Sequence, residues 1–337
     1  MAPLLTIVIP THNRADYLAR TLEICRKECS PRVEVIVVDD ASTDRTLDSL
    51  RRQFPQFQVV ANPVRRGPGP ARNLGLEKAC GRYFLPVDSD CLLLRGALAE
   101  LERRLEGEQP DILFFPCRSW PAGRRSTRIR GDQPISCEDL LTRRFGELIP
   151  VVSIELLRRH NLRYPDFRCG AERLLWLDVL RIAAGRFVDR ELLEYRTDVP
   201  MRISSPEFQV AHAAEVACAA EAFLPRFDGL NSAIARAGHA RQLLSAGTYR
   251  VLAGQRLLGR QYLLRSWRLG SRMALLPWLA SYLPLPLTRI AYLKARHLEE
   301  WVLNLRDRLS SRSERSLQSR GSQRFTGSGS PGNTSTR

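Results

Sequence analysis

Two aspartates separated by one residue, Asp88 and Asp90, close a run of mostly apolar residues from Tyr83 to Val87. The run reads as a short buried strand, and residues two apart on a strand face the same way. Two carboxylates then converge where open α/β sheets collect their ligands, outside the carboxyl ends of the strands. Hard oxygen donors at one point suit Mg2+ or Mn2+. The other reading of the same pattern is a solvated turn. A second candidate is the stretch Arg65 to Asn73, basic, rich in Gly and Pro, and placed at the start of a helix. Backbone N–H groups, helix dipole and arginines together would favour an anion there, although a surface loop with solvated arginines has the same composition. Asp39 and Asp40 end another apolar run and are expected to hydrogen-bond a base or ribose, or else to cap a turn. Glu172 opens a helix, where the dipole stabilises a carboxylate.

These residues need a frame, and the chain supplies one. Leu5 to Ile9 is apolar and closed by Pro10, and a helical pattern follows over Asp16 to Glu28. Glu34 to Val38, Phe57 to Ala61 and Tyr83 to Val87 read as further strands. Helices are expected through Leu47 and Leu50, with Ser42 or Thr43 as cap, and over Ala71 to Cys80. Strands alternating with helices at this spacing imply βαβ units and a parallel sheet. Further on, Asp111 to Pro116 and Val151 to Ile154 read as strands, and Glu155 to Asn161, Glu172 to Ala184 and Glu207 to Leu224 as helices. Gly123 to Asp132 reads as a mobile loop whose Arg124, Arg125, Arg128 and Arg130 either meet an anionic acceptor or are solvated.

The 337 residues carry 52 Lys and Arg against 36 Asp and Glu, a formal net charge of +16, which predicts an anionic partner. The 8 Cys are scattered without a Cys-x-x-Cys pair, so reduced thiols in a cytosolic protein are expected. No basic leader precedes Leu4 to Ile9, and a secretory signal is not expected. After the first strand stands Pro10-Thr11-His12-Asn13-Arg14 in place of a dinucleotide fingerprint or a P-loop, which argues against a dehydrogenase or a P-loop ATPase.

Four segments carry a resemblance. Thr6-Ile-Val-Ile-Pro-Thr-His-Asn-Arg14, Val37-Val-Asp-Asp-Ala-Ser-Thr-Asp-Arg-Thr46, Gly67 to Gly75 with Ala71-Arg72-Asn73, and Val87-Asp-Ser-Asp90 resemble, in order and spacing, the motifs of family 2 glycosyltransferases. The likeness covers roughly residues 4 to 205. It implies an α/β fold of the GT-A, Rossmann-like type, with a mixed, mainly parallel sheet flanked by helices. It also implies a nucleotide-diphosphate sugar donor, with UDP favoured, a divalent metal at the Asp pair, and inversion at the anomeric carbon. Pro10, Thr11, Asn13, Arg14 and Asp39 fall where the family holds the nucleoside, with Asp40 beside them. Arg72 falls at the nucleotide, Asp88 at the ribose and metal, and Asp90 at the metal. Gly170-Ala171-Glu172 is similar to the family's Gly-Glu-Asp block, whose last acid is the catalytic base, so the resemblance gives that role to Glu172. Ala171 stands where the family has an acid. Arg202 falls near the closing loop after the last strand, in reach of the diphosphate.

Beyond about Pro206 only composition speaks. From Arg241 to Leu298 there is no acidic residue, and arginines alternate with Leu, Trp and Tyr. That pattern suits helices lying in an anionic membrane interface. A basic nucleic-acid binder and an ordinary helical hairpin packed on the catalytic part or a second subunit share it. A spanning helix is not expected, since the uncharged run Met273 to Thr288 falls short of roughly 20 residues and is broken by Pro277, Pro284 and Pro286. The expectation is a catalytic domain over 1–205, a basic α-helical region over 206–309 and a disordered tail over 310–337. The expected activity is transfer of sugar to a hydroxyl acceptor, lipid-linked or polysaccharide, at the cytoplasmic face of the membrane. Nucleic acid is not the expected partner. The alternative is a non-catalytic nucleotide- or nucleic-acid-binding protein.

Overall fold

A computed structural model describes residues 2–142, 145–169, 171–199 and 202–299. The first part alternates as expected: β1 (Leu5–Thr11), α1 (Ala15–Glu28), β2 (Val33–Asp40), α2 (Thr46–Gln53), β3 (Gln58–Asn62), α3 (Pro68–Lys78) and β4 (Tyr83–Pro86). Then come β5 (Cys91–Leu93), α4 (Ala97–Glu108), β6 (Ile112–Pro116), β7 (Arg118–Trp120), β8 (Gln133–Ile135) and α5 (Cys137–Leu141). β9 (Leu148–Ser153), α6 (Ile154–Arg159), α7 (Glu172–Leu180), β10 (Gly185–Phe187) and β11 (Leu193–Arg196) complete the strands. The helices α8 (Pro206–Ala211), α9 (Ala213–Ala222), α10 (Ala233–Leu252), α11 (Arg256–Arg268) and α12 (Leu275–Ala280) follow.

Among the described residues, an eight-stranded sheet runs β3-β2-β1-β4-β9-β6-β10-β8, and β5-β11-β7 form a three-stranded one. β1 pairs in parallel with β2 and β4, so their carboxyl ends, Thr11, Asp39 and the exit to Asp88, lie side by side. β9 runs antiparallel between β4 and β6, which makes the sheet mixed.

Alternation along β1 divides the interior into two cores. Leu5, Ile7 and Ile9 face Leu18, Leu22 and Cys25 of α1 and Leu98, Leu101 and Leu105 of α4. On the other face Val8 joins Ile36, Val38 and Phe84 against Ala71 and Leu76 of α3 and Leu174 and Leu175 of α7. Helix α3 lies so close that a Cβ on Gly75 would stand 2.3 Å from Val8 Cγ1. This contact sets the depth at which Arg72, on the same helix, enters the fold.

Several expectations are corrected. Helix α2 begins at Thr46, whose N–H is taken by Asp44 Oδ1 at 2.9 Å, while Ser42 and Thr43 turn to Asn13 and do not cap it. Helix α7 ends at Leu180, not Ala184, because Gly185 already begins β10 and packs against the Leu180 side chain. The segment from Glu207 breaks at His212, whose ring Nδ1 donates to the Phe208 carbonyl at 2.9 Å. The loop 123–132 is pinned: Arg125 pairs with Asp189, the Gly131 N–H donates to Asp189 at 2.6 Å, and Asp132 pairs with Arg104 at 2.9 Å. A mobile loop is expected from the sequence; Arg124, Arg128 and Arg130 are exposed, but Asp189, about 60 residues downstream, is not visible there as the partner that pins it.

Residues up to Leu285 form one compact unit, and a second begins at Pro286 and is helical over 286–299. Within the first, α10 is anchored to the sheet-bearing part by Arg241 Nη2 donating to the Thr142 carbonyl at 2.8 Å, and to α9 by Arg250 bonding Glu221. Gly247 and Gly259 let α10 and α11 approach closely; a Cβ on either would meet the opposite helix below 3 Å. No helix among the described residues is long and apolar enough to cross a membrane. Gly170, Met201, residues 300–309 and the expected tail over 310–337 lie outside the described residues.

Candidate active site

The carboxyl ends of β1, β2 and β4 make the floor of the site. Pro10 and Thr11 end β1, both buried, and Thr11 Oγ1 has no hydrogen-bond partner among the described residues. Asn13 takes the left-handed conformation at φ 52°, tolerable for Asn, and its Oδ1 accepts from the Thr43 N–H at 2.8 Å. Its own N–H donates to Ser42 Oγ at 2.9 Å. Asn13 therefore stitches the β1 and β2 exit loops together.

Neighbouring residues on a strand face opposite sides, and Asp39 and Asp40 use this differently. Asp39 is 2 % exposed; its Oδ2 accepts from the Ser42 N–H at 3.1 Å, and its Oδ1 is buried without a partner among the described residues. Asp40 has its oxygens filled from inside, by Asn62 Nδ2 at 2.8 Å, the Arg66 N–H at 3.0 Å and the Gly67 N–H at 2.7 Å. This corrects two expectations. Asp40 faces the loop and not a base or ribose, and the backbone N–H groups of Arg66 and Gly67, expected to cradle an external anion, are already bound to a carboxylate of the protein. The loop is further covered by residues 164–169. The Asn73 side chain exchanges two 2.9 Å bonds with the Tyr164 backbone, and Arg66 pairs with Asp166 at 3.0 Å. Gly67, at φ 96°, passes so near Arg168 that a Cβ would lie 2.9 Å from its Cα, so only glycine fits.

Arg72 joins the two halves of the site. It is 7 % exposed, its Nη2 donates to Asp88 Oδ1 at 2.5 Å, and its Nη1 lies 3.6 Å from Glu172 Oε1. Its guanidinium also lies over the ring of Tyr164, 5.4 Å from the centroid. Burial works against its charge, but Asp88, Tyr164 and Glu172 outweigh that and hold the guanidinium more firmly protonated than usual. Tyr164 is buried edge-on to Trp176 with its hydroxyl unpartnered among the described residues, and burial pushes that phenol well up. No sequence pattern pointed to Tyr164. It sits in a loop, and only the fold brings it under Arg72.

Asp90 stands on the other side of Asp88. Arg14 Nη1 lies 3.8 Å from Asp90 Oδ2, and Arg202 is close enough to act on it. Burial and then the Asp88 charge hold the Asp90 carboxyl above its ordinary range, while Arg14 and Arg202 pull it back. Ligand atoms of Asp88, Asp90 and Cys91 lie within 4.8 Å of one another. Burial pushes the Cys91 thiol far up, so it stays protonated and is a poor ligand. The two carboxylates are what fits a cation: they repel each other, and hard oxygens suit Mg2+ or Mn2+. β11 closes this side: its Tyr195 pairs with Cys91, and the Arg196 guanidinium lies 4.2 Å from the Trp120 ring centroid and pairs with Asp198 at 2.6 Å.

Arg72 thus links Asp88 to Glu172, Arg14 and Arg202 act on Asp90, and Thr11 and Asp39 lie side by side at their strand ends, while Asp40 is turned into the loop. Residues 6–156 match the family described as Glycosyl transferase family 2. A GalNAc(5)-diNAcBac-PP-undecaprenol beta-1,3-glucosyltransferase of Campylobacter jejuni is 29 % identical over 189 residues, which cover 53 % of this chain and 60 % of that relative. Among solved structures, Staphylococcus aureus TarS 1–349 in complex with UDP-GlcNAc superposes with a TM-score of 0.58 at 18 % identity, over 86 % of this chain and 88 % of the other. A mannosyltransferase from Pyrobaculum calidifontis in complex with GDP-Man and Mn2+ gives 0.51 at 22 % identity, over 89 % and 87 %. At these identities the likeness is one of fold, the mixed, mainly parallel α/β sheet of the GT-A type.

Proposed function

From a chain that belongs, through residues 6–156, to the family 2 glycosyltransferases, we infer an enzyme that moves a sugar from a nucleotide-diphosphate donor to an acceptor hydroxyl with inversion at the anomeric carbon. The observation that carries this reading is the guanidinium of Arg72, which reaches Asp88 at 2.5 Å and Glu172 at 3.6 Å. It ties the carboxylate on the donor side to the carboxylate expected to serve as base, so a sugar held over Asp88 has Glu172 beside it.

The partnerless Asp39 Oδ1 and Thr11 Oγ1 are suited to a nucleobase, the former as acceptor for an imide N–H such as that of uracil, and UDP is the favoured nucleotide. Asp90 and Asp88 would hold Mn2+ or Mg2+, which supplies Lewis-acid stabilisation of the departing diphosphate. Arg14 and Arg202, on the Asp90 side, add fixed positive charge where that anion develops. Glu172, 37 % exposed at its side chain, is open to an acceptor. It takes the hydroxyl proton as that oxygen bonds to the anomeric carbon and the bond to the diphosphate breaks on the opposite face. The acceptor is a lipid-linked or surface-polysaccharide precursor at the cytoplasmic face of the membrane. Support comes from the basic surface of the chain and from the Campylobacter relative, whose name specifies an undecaprenol-linked acceptor.

Replacing Glu172 with Gln tests the base. Transfer measured with a panel of UDP, GDP, dTDP and CDP sugars, with and without Mn2+, should fall by about 10²- to 10⁴-fold while donor affinity stays near the wild-type value. Full turnover in the variant removes Glu172 from this role.

A further inference from the structure

The chain buries its leucines efficiently until α11 and α12, where the rule fails. Helix α12 buries none of its residues. Met273, Leu275, Leu276 and Leu279 are 64 %, 51 %, 65 % and 51 % exposed, four large aliphatic side chains within seven positions. On α11, Gly259, Leu263 and Ser266 turn inward, Ser266 Oγ donating to the Ala240 carbonyl of α10 at 2.7 Å. By helical periodicity the opposite face carries Leu257, 76 % exposed, with the exposed Arg265 and Arg268. Arg272 precedes α12 and is exposed too. An apolar surface this concentrated, with exposed arginines on the helix and turn that lead into it, marks a contact.

We propose that this face of α11 and α12 is a docking surface for an anionic lipid bilayer, with the aliphatic side chains entering the headgroup boundary and Arg265, Arg268 and Arg272 on the lipid phosphates. It extends the membrane-facing acceptor reading above by naming the surface. Charge decides between occupants. No acid occurs from Arg241 to Leu298, so a two-fold contact between two copies of this face would set arginine against arginine. Nucleic acid would satisfy the arginines but would leave the four aliphatic side chains in water. An acidic bilayer satisfies both groups at once.

The test is co-sedimentation of the full chain with phosphatidylcholine vesicles and with vesicles containing phosphatidylglycerol, at low and high salt. Binding should require the anionic lipid and weaken with salt. It should fall about fivefold for each of Arg265→Gln, Arg268→Gln and Arg272→Gln, and at least about tenfold for Leu276→Asp with Leu279→Asp. These side chains are exposed, so melting temperature and donor turnover on a soluble acceptor should match wild type in every variant, which keeps a failure of the transferase reading separate. Unchanged sedimentation of the double aspartate variant would overturn the proposal. So would a lipid-independent dimer, or a DNA complex without vesicle binding, that the same substitutions abolish.

Discussion

Arg72 is the residue on which the two acidic sides of the site depend. A buried guanidinium is tolerable only with its charge answered, and here Asp88, Glu172 and the Tyr164 ring answer it. Arg72→Met would leave two carboxylates facing a neutral side chain. Asp88 and Glu172 are partly exposed and stay solvated, so urea unfolding should show a loss of no more than about 1 kcal/mol, whereas transfer should be abolished. Asp90 gives a second prediction. Burial and then Asp88 raise its pKa, so the folded chain without metal holds the Asp90 proton more tightly than the unfolded chain does. The sign follows: for an acid so shifted, the stability contribution is full below the unfolded pKa and is lost as pH rises through the folded one. In metal-free protein, carboxyl NMR should place the Asp90 midpoint above the usual Asp range and move it down in Asp88→Asn. Mn2+ should raise the melting temperature of wild type but not of Asp90→Asn, with the effect fading as falling pH protonates Asp90.

At the scale of elements, the loop between β3 and α3 is held by Asp40 at the end of β2. Three donors, Asn62 Nδ2 and the N–H groups of Arg66 and Gly67, converge on it. Asp40→Ala strips a buried acceptor from all three and should cost about 3 kcal/mol in urea unfolding. Because the loop sets the start of α3, it should also weaken donor binding through Arg72, with Asp40→Asn falling between. The run β1-α1-β2-α2-β3-α3-β4 was legible because each piece is written locally, in apolar runs of strand length, helical spacing and Gly/Pro breaks. β5, β7 and β11 were not, since pieces as short as Arg118–Trp120 or as polar as Leu193–Arg196 offer no apolar run like that of β4. The direction of β9 was likewise hidden. Its apolar run was visible, but antiparallel insertion beside β4 depends on where α4 and β6 return the chain.

For the whole molecule, the +16 charge bears on encounter more than on fold. An anionic sugar nucleotide should associate faster at low ionic strength. In stopped-flow measurements the association rate should drop by about tenfold between roughly 0.05 and 0.5 M salt, with a much smaller change in the dissociation rate. A flat salt response would mean that the surplus arginines serve other surfaces.

The sequence by itself determined the order of βαβ units, the delivery of Asp39 and Asp88 to strand ends, and a basic carboxyl-terminal region, because these follow from periodicity and charge over a few residues. The tertiary structure alone decided that Asp40 closes a loop, that Arg72 meets Glu172 across a separation of 100 positions, and that Met273, Leu275, Leu276 and Leu279 stay uncovered. Each of these is a matter of which distant side chain occupies the space opposite, and no local pattern encodes that.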